Sequence, residues 1–324
     1  MESRTLGRTG RKVSVIGLGG WQIGEAWGSV PEDDARDVVR SALAEGITFI
    51  DTADAYGEGR SEWIIGEVVG DSDVFVATKM GRRVEQRPEN YNMANFRAWT
   101  DRSRRLLDVD SLDLVQLHCP PDAVFEDDAV FDALDTLVAE GAIRAYGVSV
   151  ETCAQALATI RRDGVTSVQI ILNCFRQKPV DEVLPAAREA GVGIIARVPL
   201  ASGLLSGKYD ESTEFPADDH RNYNRHGESF DVGETFAGVP FEVGLAAVRE
   251  LASFVPAGAT MAQFALRWII DQPGVTTVIP GARNGDQVRA NAAAADLAPL
   301  SDDQRAGVRD VYDRLIRPHV HHRW

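Results

Sequence analysis

The chain has 324 residues, 44% of them hydrophobic and 26% charged, which suits one large barrel or two ordinary globular domains and requires no covalent staples. Its formal net charge of -15 makes DNA, RNA and anionic membranes poor partners, because all three are polyanions. Three widely spaced cysteines, Cys119, Cys153 and Cys174, argue against a disulfide framework or a cysteine-rich zinc site.

The first residues carry no apolar core of signal-peptide type, and no run reaches the ~18 apolar residues of a membrane span. The expectation is a soluble, cytoplasmic protein. Only Lys12, Lys79, Lys178 and Lys208 among the cations are lysines, so a lysine at a strand end stands out.

Taken in order, residues 5–14 alternate around Gly7 and Gly10 and suggest a short hairpin. Residues 15–21 read as a buried strand running into a glycine-rich turn. This is not a dinucleotide fingerprint, since Gln22 occupies the third glycine position. Pro31 and the acids at 32–34 open a helix that Gly46 ends. A second strand follows and ends at Asp51. After Gly59 comes a helix with Trp63, Ile64, Ile65 and Val68, then a third strand at 75–79, a helix at 92–107 and a fourth strand at 112–118.

The alternation continues with helices near 131–140, 154–161 and 180–190, and with strands near 143–148, 168–172 and 192–198. A polar stretch at 209–239 precedes helices at 241–254 and 260–271 and an eighth strand at 275–279. Helices near 286–294 and 301–316 finish the chain. Eight strands alternating with helices predict a parallel, closed (β/α)8 barrel of the α/β class, residues 1–324 forming one domain with an N-terminal hairpin and extra C-terminal helices. A loop as long as 209–239 is usually a lid or a disordered segment.

In such a barrel the strand C-termini converge on one face. Asp51 and Tyr56 arrive there from strand two, Lys79 from strand three and His118 from strand four. Taken singly, Asp51 could cap a turn, Tyr56 could pack and His118 could be a satisfied loop residue. Lys79 is harder to dismiss, because a lysine ending an apolar strand needs a partner.

Together the four make chemical sense. An ammonium beside a tyrosine stabilises its phenolate and lowers a pKa of ordinarily ~10 toward the working range. Asp51 can hold Lys79 charged and fixed, and His118 can orient a reacting oxygen. The group suits protonation of an alkoxide formed as hydride reaches a carbonyl, and only a cofactor can provide the hydride. An aldolase using Lys79 as a Schiff base has little use for Tyr56 and Asp51. A metal hydrolase lacks the His-x-His expected after strand one, and no metal site is assigned to the C-terminal His319, His321 and His322.

Four motifs in order, FIDTADAYG at 49–57, ATK at 77–79, LDLVQLH at 112–118 and IPGARNGDQVRAN at 279–291, resemble the aldo-keto reductases along essentially the whole chain. The resemblance implies an NADPH-dependent oxidoreductase reducing an aldehyde or ketone, with Asp51, Tyr56, Lys79 and His118 as catalytic tetrad and Tyr56 as general acid. It implies that Ser149 holds the nicotinamide carboxamide, with Gln169 and Asn173 nearby. Val150 stands where members usually have asparagine. Arg197 takes the place of an aromatic that stacks on the nicotinamide, which favours the reduced cofactor.

By the same resemblance Pro199, Leu200, Ser202, Gly203, Leu205, Gly207 and Lys208 form the pyrophosphate loop. Gly281, Arg283, Gln287 and Asn291 would meet the adenosine and its 2′-phosphate. Some members have lysine at the Gly281 position and glutamate at the Ala290 position, so NADH is also possible. Trp21, Asp54 and the 209–239 loop are expected to line a pocket for a small carbonyl substrate. The alternative within the same fold is a slow or non-catalytic cofactor-binding regulatory subunit.

Overall fold

In the computed structural model, which describes residues 1–24 and 30–324, ten strands fall into two sheets. Strands β1 (Ser3–Thr5) and β2 (Lys12–Ser14) pair antiparallel, Arg4 opposite Val13, and form the expected hairpin. The other eight are β3 (Leu18–Gly19), β4 (Phe49–Asp51), β5 (Phe75–Met80), β6 (Leu114–His118), β7 (Tyr146–Ser149), β8 (Val165–Ile171), β9 (Gly193–Arg197) and β10 (Val275–Val278). They lie parallel in sequence order. Parallel bridges Ile16 to Val278 and Gly19 to Gly281 join the first to the last and close the barrel.

Helices follow the strands around the outside, Glu32–Ala44, Arg60–Val69, Met93–Leu107, Asp128–Ala139, Cys153–Ile160, Lys178–Ala190 and Met261–Ile270 among them. Their starts are chemically marked. Asn92 accepts from the Asn95 amide, and Thr152 and Thr260 each form a capping box with a glutamine three residues on. Trp63 faces outward with the Arg36 guanidinium over its ring, while Ile64 and Ile65 are buried. The expected helix over 301–316 ends at Val311 and passes through a wide turn at Tyr312–Ile316 into Arg317–Val320. Pro318, with no amide hydrogen, cannot continue the regular ladder there.

The hairpin plugs the bottom of the barrel. Leu6 and Val13 join Phe49, Phe75, Leu114 and Ile195 in a buried cluster at the strands' N-terminal ends, with Phe49 and Phe75 stacked at 6.0 Å. Arg4 donates to the carbonyls of Ile270 and Val275, and Arg8 to those of Asp163 and Val165. This end is filled and fastened by the hairpin, and the strand C-termini meet at the opposite mouth. Among the described residues, no helix is long and apolar enough to cross a membrane.

Gly7 holds the plug against the strands. Its φ is +48°, and a Cβ there would stand 2.1 Å from the Thr166 oxygen and 2.4 Å from the Gly193 nitrogen, both backbone. Gly7→Ala is therefore expected to destabilise the fold by about 2 kcal/mol or more, read as a lower urea midpoint at unchanged m-value. An unmoved midpoint would mean that the hairpin is not seated as described.

Candidate active site

Register brings the expected residues to the barrel mouth, with a stagger of two residues between β4 and β5 and between β8 and β9. Asp51 pairs with Ala77, Lys79 with Gln116, His118 with Ser149, Ser149 with Gln169 and Ile171 with Arg197. The backbone breaks from β geometry immediately beyond. Cys119 after β6 has φ +49° and Val198 after β9 has φ +53°, an unusual conformation for a β-branched residue. Such turns swing the chain outward and leave the last strand side chains facing the mouth.

Asp51, Tyr56, Lys79 and His118 come together there. Lys79 Nζ donates to Asp51 Oδ2 at 2.5 Å, to the Thr52 carbonyl at 2.9 Å and to Tyr56 Oη at 3.1 Å. Asp51 Oδ1 accepts from the Gln169 side chain at 2.7 Å and from Gln116 at 3.1 Å. The His118 ring meets the Tyr56 ring edge-on at 5.9 Å, and His118 Nδ1 is buried without a hydrogen-bond partner.

The electrostatics differ from the sequence expectation at Tyr56. Burial raises its pKa; Lys79 opposes this and Asp51 adds to it, so the net shift is upward. Burial would lower the Lys79 pKa, but Asp51 and Tyr56 outweigh it and the ammonium is held. Burial, reinforced by Arg82, Lys79 and Arg197, brings His118 well below its usual range, so it is neutral at pH 7. The site at neutral pH thus contains a protonated tyrosine, an ammonium and a neutral imidazole.

A cavity of about 450 Å³ runs from these residues across the barrel mouth. Tyr56, His118, Ser149, Gln169 and Arg197 line one end. Pro199, Leu200, Ser202, Gly203 and Lys208 line one flank, and Gly281, Arg283, Gln287 and Asn291 line the other. Ser202 (φ +52°) and Gly203 (φ +95°) bend their loop tightly against the cavity. Across from it, Asn284 caps the helix Gly285–Ala292, whose first turn faces the same space. Lys208 and Arg283 are exposed cations that take part in no ion pair among the described residues. A glycine-rich loop, a capped helix start and two unpaired cations on opposite flanks fit a long, phosphate-bearing ligand.

A family model described as aldo/keto reductase family matches residues 15–313. The chain belongs to the aldo/keto reductase family. The Bacillus subtilis (strain 168) protein named aldo-keto reductase YhdN is 32% identical over 315 residues, which cover 94% of this chain and 92% of that protein. The glycerol dehydrogenase AKR11B4 from Gluconobacter oxydans superposes with a TM-score of 0.79 at 31% identity, covering 97% of this chain and 96% of its own. An Arabidopsis thaliana protein named probable voltage-gated potassium channel subunit beta is 29% identical, with 93% of each covered. This aldo/keto reductase is an NAD(P)H-dependent oxidoreductase.

Several expected residues of the reductase take other places. Leu205 and Gly207 belong to the loop but do not line the cavity; Leu205 is buried beneath it, and Gly207 faces Met261. Asn173 commits its side chain to the Val198 carbonyl and the Phe175 amide. Gly281 leaves room for Gln22, whose side-chain oxygen would stand 2.0 Å from a Cβ there. Sequence reading also missed Gln116, which holds Asp51, and the charged group Arg82, Glu151 and Glu234 around Arg197. Cys119, Glu151 and Glu234 could together face a metal ion, but the two carboxylates already engage Arg82 and Arg197.

Asp54 does not line the cavity either. It is 1% exposed, and neither carboxylate oxygen has a hydrogen-bond partner. Burial, then the nearby Glu62, raises its pKa to about 7. Because the folded value lies above the unfolded one, stability is lost as pH rises between the unfolded value near 3.8 and about 7. Asp54→Asn removes that penalty. It is expected to raise Tm relative to wild type at about pH 8 by a few degrees more than at about pH 5. An equal change in Tm at both pH values would place Asp54 in a role unrelated to its charge.

Proposed function

We propose that residues 1–324 act as one barrel unit that reduces an aldehyde or ketone with NADPH, Tyr56 being the proton donor. The observation that carries this is the buried Lys79 ammonium, fixed by Asp51 and hydrogen-bonded to a tyrosine that remains protonated at the cavity wall. Bound NADPH supplies the hydride to the carbonyl carbon. Tyr56 donates its proton to the carbonyl oxygen as that oxygen becomes an alkoxide, and Lys79 stabilises the phenolate left behind. His118, neutral and with Nδ1 unpartnered, offers its other ring nitrogen as a donor to the same oxygen. Net charge on this set is then unchanged until the proton moves.

Ser149 and Gln169, which line the cavity beside Tyr56, are the residues we propose to hold the carboxamide, and Arg197 borders the same space. Arg283, Gln287 and Asn291 support a preference for NADPH, because a 2′-phosphate would bring its negative charge to the exposed Arg283 guanidinium, while Lys208 on the opposite loop is left for the pyrophosphate. The Trp21 ring lies 6.3 Å from Tyr56, 5.0 Å from His220 and 6.0 Å from Phe230, so the substrate would meet an aromatic wall built partly from the 209–239 loop.

Tyr56→Phe is expected to lower kcat by about a thousandfold while leaving the Kd for NADPH within about twofold, measured by turnover of an aldehyde panel and by cofactor fluorescence. Equal loss of binding and turnover would make Tyr56 structural. In the wild type, tight cofactor binding with no turnover of any aldehyde or ketone would favour the regulatory-subunit reading instead. Arg283→Ala should weaken NADPH by about tenfold and leave NADH nearly unchanged, and equal weakening of both would remove the 2′-phosphate role.

A further inference from the structure

Four charged side chains close a ring at the barrel mouth. An Arg197 Nη2 hydrogen bond reaches Glu151 Oε2 at 2.8 Å, and Arg82 Nη2 lies 3.3 Å from Glu151 Oε1. Arg82 Nη2 also reaches Glu234 Oε1 at 2.9 Å, which lies 3.7 Å from Arg197 Nη1. None of the four side chains is more than 20% exposed. Three of them follow or end barrel strands β5, β7 and β9, whereas Glu234 comes from the 209–239 loop. With both carboxylates ionised the four charges sum to zero. Burial raises the Glu151 carboxyl against the pull of Arg197 and Arg82, whereas at Glu234 burial is outweighed by those two arginines, which hold it down at about 2.

Stability does not explain this arrangement. Buried ion pairs bring little net stabilisation over well-packed apolar residues, because each ion loses its hydration. Arg197 and Glu234 line the cavity beside Tyr56 and His118, which is where hydride must be transferred. Cys119 Sγ lies 3.7 Å from Arg197 Nη2, but burial pushes its thiol up to about 12, so it adds no charge. The compensation of Arg197 therefore falls to Glu151 and Glu234.

The nicotinamide ring is cationic when oxidised and neutral when reduced. An uncompensated guanidinium at this wall would repel only the oxidised form. We propose that Glu151 and Glu234 are positioning residues that set the preference between oxidised and reduced cofactor by neutralising Arg197. Through Glu234 that charge balance also depends on the seating of the 209–239 loop. The inference rests on the reading of this cavity as the nicotinamide site.

The test measures Kd for NADPH and for NADP+ at fixed ionic strength, by cofactor fluorescence and by calorimetry. Glu151→Gln and Glu234→Gln each leave the ring with one net positive charge. Each is expected to weaken NADP+ by about tenfold or more while NADPH moves by less than about threefold. Arg197→Gln should move the ratio the opposite way. The double variant Glu151→Gln with Arg197→Gln restores neutrality, and its ratio should return to within about threefold of wild type. Equal weakening of both forms in the single variants, or a double variant no closer to wild type than Glu151→Gln, would overturn the proposal. Binding of neither form by the wild type would instead overturn the cofactor reading, and this inference with it.

Discussion

The mouth of this barrel depends on keeping one ammonium out of water. Lys79 is 1% exposed, and an ion in that position is costly unless its neighbours replace the lost hydration. They do so completely: the Asp51 carboxylate, the Thr52 carbonyl and the Tyr56 hydroxyl take up the three donors. Asp51 in turn directs its second oxygen to amides from Gln116 on β6 and Gln169 on β8. One buried charge thereby locks side chains from four strands of the barrel and the turn after β4. Removing either member of the pair would strand the other, so the arrangement is maintained as a unit.

That lock determines the protonation state of what lies beside it. A tyrosine buried without an ammonium would be a very weak acid, and one fully compensated would lose its proton too readily. Here Lys79 offsets part of the burial penalty, and Asp51 takes back some of that offset. In the proposed reaction the proton stays on Tyr56 until negative charge develops on a substrate oxygen. His118 is driven neutral by the same surroundings, with three cations facing it, so it cannot compete as the proton source. The division of labour follows from where the charges sit rather than from the intrinsic acidity of either residue.

How much of this was legible in the sequence follows the range of the interactions. Asp51, Lys79 and His118 each end an apolar run, and that pattern is local, so the alternation of strands and helices carried them to one face. The hairpin plug was equally local. Arg82, Glu151 and Glu234 gave no such signal, because a charged residue after a strand looks like solvated loop. Arg82 and Glu234 are 152 positions apart, and only the closed barrel brings them into contact. Asp54 misled for the opposite reason. It sits between Asp51 and Tyr56 in sequence, yet the turn at the end of β4 directs it toward Glu62 rather than into the cavity. Gln22 was invisible because its place is defined by a missing side chain, that of Gly281.

The overall acidity of the chain and its reading as a binder of a phosphate-bearing cofactor are compatible, because the two operate at different distances. A net charge of -15 acts over the Debye length of about 8 Å and beyond, and there it is largely screened. A phosphate held at the cavity responds to what lies within hydrogen-bond reach. At the end proposed to hold the nicotinamide, two arginines are paired with two glutamates. At the far end, Lys208 and Arg283 stay exposed and outside any described ion pair, on either side of a loop and a helix start rich in backbone donors. If the cofactor binds as proposed, the cavity is neutral beside the ring whose charge varies and carries cations beside the phosphates, whose charge is fixed. The net charge of the chain, screened at that range, therefore does not prevent an anion from being held there.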